Sequence, residues 1–370
     1  MSQQEFDRWK IRFRSVSDRT NKFRIDDIAI DGESPVPDPG ASGAEIDAVA
    51  AEIRRARSRG APVVLVHGAH LIKNGLGPLV VEFVKDGWLT HVGTNGAGSI
   101  HDWEFAFLGS SCEDVAANVA VGEFGIWDET GGRIGLSLLA GGIVGAGYGE
   151  AVGRMISEEK LVVPDPVALR ETMAAALDRR ESMDIAAAAA DLLSVLERTE
   201  FQAGAVEIPH PWKHTSVQCA CYENSARFTV HPGIGQDIIY SHPLFQGGSV
   251  GRASMRDFLR YAATIRQLDG GVYLSVGSSV MSPMIFEKSL SMARNVLLQE
   301  GSATKLENFS IVVNDLAAAT WDWSQGEPPV DNPAYYVRFC KTFSRMGGRL
   351  SYLGMDNRVF LQNLYARLSA

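Results

Sequence analysis

The sequence predicts an α/β fold: a Rossmann-like, mostly parallel sheet with helices on both faces. Three observations carry that expectation. Short continuous apolar runs, APVVLVHG at 61–68, VYLSV at 272–276 and NFSIVVND at 308–315, have the composition of strands buried on both sides. Between them lie stretches of ten or more residues with apolar positions at helical spacing. The runs also end in turns rich in glycine, serine and polar residues. Strands that alternate with long helices need crossover connections, and these make neighbouring strands parallel.

Taken in order, residues 1–43 read as an N-terminal arm. They are polar, and GESPVPDPGASG favours extended chain that packs late or crosses to a neighbour. From 44 to 370 we expect a single α/β domain. It opens with the helix GAEIDAVAAEIRRARSRG and the strand APVVLVHG. LGPLVVEFVKDG (helix) and WLTHVGTNGAG (strand into a glycine turn) follow. A helical, alanine-rich insert spans about 134–200, in which IAAAAADLLSVL favours helix and the charged run LDRRESMD reads as a solvated face. The later half repeats the alternation through MRDFLRYAATIRQLDGG, VYLSVGSS, PMIFEKSLSMARNVLLQEG and NFSIVVND. The segment GIVGAGYGEAVG (142–153) imitates a dinucleotide fingerprint by eye. No β-type run precedes it, so we read it as a small-residue helix packed closely on its neighbours.

A net charge of -9 gives no electrostatic reason to bind nucleic acid or anionic lipid. The most apolar stretch, 134–147, falls short of the ~20 residues of a membrane span, and the charged N-terminus has no signal-peptide core. Cys112, Cys219, Cys221 and Cys340 lack paired C-x-x-C spacing and read as reduced thiols of a cytoplasmic protein. The H-x-x-x-H spacing in HPWKH (210–214) sits outside the α/β pattern and no H-E-x-x-H occurs, so no metal is expected; GGSVG (247–251) has G-x-S-x-G spacing but no β-type run before it, so it is no hydrolase elbow.

Open parallel sheets bind ligands at the carboxyl ends of their strands. The turns 67–75, 93–104, 231–243 and 276–283 are therefore the candidate site, because glycine there lets backbone N–H groups approach a phosphate. His67, His70, His101, His231 and His242 lie in or beside these turns, where an imidazole can exchange protons. His231, Gln236, Asp237 and His242 are the candidate substrate contacts. In SIHDWEF we expect a helix to start near His101. Its N-terminal dipole would keep His101 neutral as a general base, with Asp102 orienting the ring or binding a ribose hydroxyl. Lys341 is a candidate covalent lysine.

The runs VHGAHLIKNG, VGTNGAGSIHDWEFAFLGSS and VGEFGIWDETGGRIG resemble, in the same order, the corresponding stretch of deoxyhypusine synthases. FTVHPGIGQDIIY, VGSSVMSPMIFEKSLSMARN and FSIVVND are similar in order and rhythm, so the resemblance spans roughly residues 60–345. It implies a bound NAD, a small-molecule substrate oxidised through that cofactor, and a homotetramer or dimer with shared sites. It carries cofactor binding onto Gly68, Ala69 and His70, onto Thr94, Asn95, Gly96, Ala97 and Gly98, and onto Gly277, Ser278 and Ser279. Lys341 falls where the family has its imine-forming lysine. Two departures stand out. Ile100 and His101 replace the family's acidic pair, and TWDWSQGEPPVDNPAYY replaces the stretch before its lysine. The cofactor half is retained and the polyamine half rebuilt, so the expected activity is NAD-dependent oxidation of an amine- or hydroxyl-bearing substrate, with group transfer or re-reduction. Deoxyhypusine or homospermidine synthesis and non-catalytic NAD sensing are the alternatives.

Overall fold

Six strands form one sheet, and four of them lie in the strand segments expected from the sequence. The strands are β1 (Val63–His67), β2 (His91–Thr94), β3 (Arg227–Val230), β4 (Val272–Val276), β5 (Ser310–Asp315) and β6 (Arg349–Gly354). The computed structural model describes residues 4–179, 183–199, 201, 203–317 and 321–370. All pairings in this sheet are parallel, in the order β6-β5-β4-β1-β2-β3. That is the doubly wound order in which the chain reverses direction across the sheet between β1 and β4, and a crevice opens there at the carboxyl ends.

β1 and β4 are buried along their whole length, whereas the edge strands β3 and β6 expose at least one residue each. Side chains alternate across the sheet as the strand period requires. Val63, Leu65, Leu274 and Val312 join one apolar cluster, and Val64, Val66, Tyr273 and Val313 join the other. Helices cover both faces. Gly43–Ser58 buries Ile46, Val49, Ala50, Ile53 and Ala56, a single stripe at helical spacing. Truncating a fully buried side chain such as Leu65 to alanine removes about 2–5 kcal/mol.

The insert between β2 and β3 carries helices Asp128–Ile143, Tyr148–Glu158, Pro166–Leu177 and Met183–Leu196, with a small antiparallel pair, Lys160–Val163 on Gly204–Glu207. Of the run LDRRESMD, residues 180–182 lie outside the described set. The glycine-rich segment at 142–153 is not one helix: it breaks at 144–147, with Gly145 at φ +78°, and the two helices meet at 109°. No single helix among the described residues is long and apolar enough to cross a membrane. The described part of the arm packs on its own chain. Val16 and Ile25 are buried, and Phe23–Arg24 pairs with Ser110–Ser111.

Candidate active site

The helix Ala69–Lys73 follows β1 directly and divides the carboxyl end of the sheet into two cavities. His70 lines one and Lys73 the other.

The first cavity, about 230 Å³, lies over β1, β2 and β3. Its walls include Lys73, Ala97, Ile100, His101, Glu104, Cys112, Gln236 and Asp237. His101 stands on the helix Gly96–Leu108, which begins directly after β2. The helix therefore does not start near His101, and the N-terminal dipole is not what keeps the ring neutral. Burial does so instead, pushing its pKa down to about 4.

A buried chain of hydrogen bonds fixes the tautomer of His101. Ser111 Oγ lies 2.5 Å from Glu104 Oε2 and 2.7 Å from His101 Nδ1. Glu104 is 1% exposed. Burial alone would raise its pKa, but the Arg19 guanidinium at 2.7 Å and its hydrogen bonds outweigh that and hold the carboxyl below the usual range. A carboxylate only accepts, so Ser111 donates to Glu104 and accepts from His101 Nδ1–H. Nε2 is left as a lone-pair acceptor without a protein hydrogen bond among the described residues. Beside the ring, Cys112 adopts φ +72°, with Sγ 3.7 Å from Nδ1, and burial raises its thiol pKa.

Asp102 does not orient His101. Its carboxylate accepts from Ser216 Oγ and from the Val217 and Gln218 N–H groups at 2.6–3.2 Å, together with Gln218 Nε2, so it caps the helix Val217–Glu223. The turn Thr94–Gly98 likewise differs from the expected phosphate cradle. Thr94 Oγ1 donates to the His67 carbonyl, and Asn95 accepts from Gly98 N. A Cβ on Gly96 would overlap the Asp237 carboxylate, so the chain's own acid already lies against this helix N-terminus beside Ala97. Burial raises Asp237 to about 6.

Of the four substrate candidates, Gln236 and Asp237 reach this cavity and two do not. His231 is buried on Thr229 Oγ1 (3.1 Å), which also contacts His91 Nε2 at 2.9 Å. His242 contacts Asp128 and the Leu244 N–H and lines a separate cleft with Trp9 and Phe201. Lys341 lines neither strand-end cavity. Its Nζ sits 3.2 Å from the Tyr335 ring centroid and 2.9 Å from Glu327, an arrangement that holds a charged ammonium.

The second cavity, about 260 Å³, lies over β4, β5 and β6 and is lined by His70, Asn74, Gly277, Asn314, Asp315 and Asp356 among others. Gly68 and Gly277 meet at the crossover of the sheet, where a Cβ on Gly68 would overlap the Gly277 carbonyl oxygen. Gly277 has φ +55° with open space where a Cβ would stand. Ser279 is exposed, whereas Ser278 is buried and its hydroxyl accepts from Ser282 N. Asn314 donates through Nδ2 to the carbonyls of Leu353 and Met355, while its buried Oδ1 has no partner among the described residues.

Sequence reasoning missed Lys73, Glu104, Ser111 and Arg19 around the first cavity, and Asn314 and Asp315 around the second. Lys73 lay in a turn already singled out. The Arg19–Glu104 pair joins residues 85 positions apart and has no sequence signal.

No protein-family profile and no curated protein sequence matches the chain. Solved structures align with the chain at low similarity. ArgZ, an arginine dihydrolase from the ornithine–ammonia cycle in cyanobacteria, aligns at 14% identity and TM-score 0.39 over 88% of this chain and 32% of its own. AgrE, solved with ornithine and NAD+, aligns at 14% and 0.44 over 91% and 34%. A protein of the LOR/SDH group by name, from Methanococcus maripaludis S2, aligns at 14% and 0.43 over 91% and 70%. The chain spans about a third of the length of the first two. At such values the likeness assigns no activity, and the chemistry has to be read from the site itself.

Proposed function

We propose that this chain is an NAD-dependent enzyme that oxidises a small substrate at a carbon bearing nitrogen or oxygen. The observation that carries the reading is His101: neutral, its Nδ1–H held by Ser111 and Glu104, its Nε2 free, on the wall of a strand-end cavity. NAD, when bound, supplies the hydride acceptor.

The second cavity is smaller than a whole dinucleotide, but the residues around it suit one end of such a cofactor. Asn314 Oδ1 is a buried acceptor without a donor, Asp315 stands at the end of β5 where a carboxylate can take ribose hydroxyls, and the open backbone at Gly277 admits close approach. Gly68, Ala69, His70, Gly277, Ser278 and Ser279 complete the seat. Thr94–Gly98 serve as its inner support rather than as a phosphate cradle.

His101 Nε2 accepts the proton from the substrate amine or hydroxyl as its carbon is oxidised to an imine or carbonyl. The new imidazolium is stabilised through Ser111 by the Glu104 carboxylate, and burial returns the ring to its neutral form when the proton leaves. Calorimetric titration of cofactor-stripped protein with NAD, NADH and NADP tests the reading. Saturable NAD or NADH binding is expected, and no binding by any of the three ends it.

A further inference from the structure

The charges around the first cavity decide what it can hold. Both buried glutamates are already engaged. Glu104 faces Arg19, and Glu113 accepts from Asn118 Nδ2, Gly125 N and Trp127 Nε1 at 2.5–3.1 Å. His101 is neutral. Lys73 is the remaining fixed cation. Its ammonium makes no ion pair or side-chain hydrogen bond among the described residues, yet it lies close enough to His101 and Cys112 to act on both through its charge. Asp237 also lines the cavity, with its carboxylate packed against Gly96.

We propose that this cavity takes a small α-amino or α-hydroxy acid whose carboxylate pairs with Lys73 while its amine or hydroxyl faces His101. An unpaired ammonium on a concave wall is a point anchor for a carboxylate. Because Lys73 and His101 share that wall, the carboxylate lies close to the carbon that reacts. The volume, about 230 Å³, is below the range of drug-sized pockets and suits a molecule of this kind. The same Lys73 ammonium repels a polyamine at this wall.

The redox role of this ligand rests on the function proposed above, but its binding does not. Calorimetry separates the two with matched pairs that differ by one carboxylate: L-alanine against ethylamine, L-ornithine against putrescine, and glycolate against methanol, each with and without NAD. At least one acid should bind about tenfold or more tighter than its partner. Lys73→Met should weaken that acid about 10- to 100-fold, and Lys73→Arg should keep it within a few-fold of wild type. Three outcomes overturn the proposal: partners that bind as well as their acids, no acid binding at about 10 mM, where even weak recognition registers, or Lys73→Met unchanged. Acid binding in protein that does not bind NAD would leave this inference standing and remove the function above.

Discussion

The two cavities at the carboxyl end of the sheet are built from opposite materials. Around His101 most of the strong polar groups have partners within the chain: Glu104 has Arg19, Ser111 has Glu104, and Glu113 has three donors. Around Gly277 the backbone is open and Asn314 Oδ1 has no partner. A preorganised network is what proton transfer needs, because its hydrogen bonds do not have to be assembled during the reaction. Open backbone with a waiting acceptor is what a large ligand needs. In the function proposed here, chemistry belongs to the β1–β3 side and cofactor binding to the β4–β6 side.

Acid breaks this comparison most strongly. All eight histidines precede residue 243, and five of them have pKa values pushed down by desolvation: His67, His101 and His210 to about 4, His91 and His231 to about 3. The unfolded chain protonates each near 6.5 while the folded chain does not. Stability is therefore present above 6.5 and lost as the pH falls toward 4, by up to about 1.4 kcal/mol per pH unit for each group. Three buried aspartates, Asp102, Asp237 and Asp257, have raised pKa values and oppose the loss, but the imidazoles outnumber them. Denaturant unfolding at pH 7.5 and pH 5 should show a large drop at pH 5, with hydrogen exchange rising first around β2 and β3. Equal stability at the two values would contradict the buried neutral imidazoles.

Arg19→Met leaves Glu104 as an unpaired buried charge and should cost about 3–5 kcal/mol in thermal or chemical unfolding. Adding Glu104→Gln should restore much of that stability without restoring turnover, because Ser111 no longer faces a carboxylate. Recovery of both would show that the pair only holds the arm in place.

His101→Gln should lower turnover about 10²- to 10⁴-fold with NAD affinity unchanged. In the wild type the acid limb of kcat/KM should follow a group near 4 rather than 6.5. A limb near 6.5, or turnover within a few-fold of wild type, would leave His101 a structural residue.

Much of the sheet was legible because its central strands are continuous apolar runs between amphipathic helices. β6 was not. Its sequence, RLSYLG, is half-buried at an edge and reads as neither strand nor helix. At the site, the sequence pointed to His101, Asp237 and the turn at Gly277, because glycine and histidine at strand ends are local signals. It assigned Asp102 and Thr94–Gly98 the wrong tasks, since the partners that occupy them, Ser216, Gln218 and Asp237, come from more than 100 residues away. Lys341 was a candidate through the family resemblance, whereas it contacts Tyr335 and Glu327 and lines neither cavity.

The division of labour between the two cavities is tested most directly by calorimetric NAD titration of wild type, His101→Gln and Gly277→Asn. Asparagine tolerates the left-handed φ of +55° at position 277, and its side chain projects into open space at the second cavity. The account predicts that Gly277→Asn weakens NAD binding about tenfold or more while His101→Gln leaves it within a factor of two. NAD affinity lost in His101→Gln and kept in Gly277→Asn would place the cofactor in the other cavity and contradict the account.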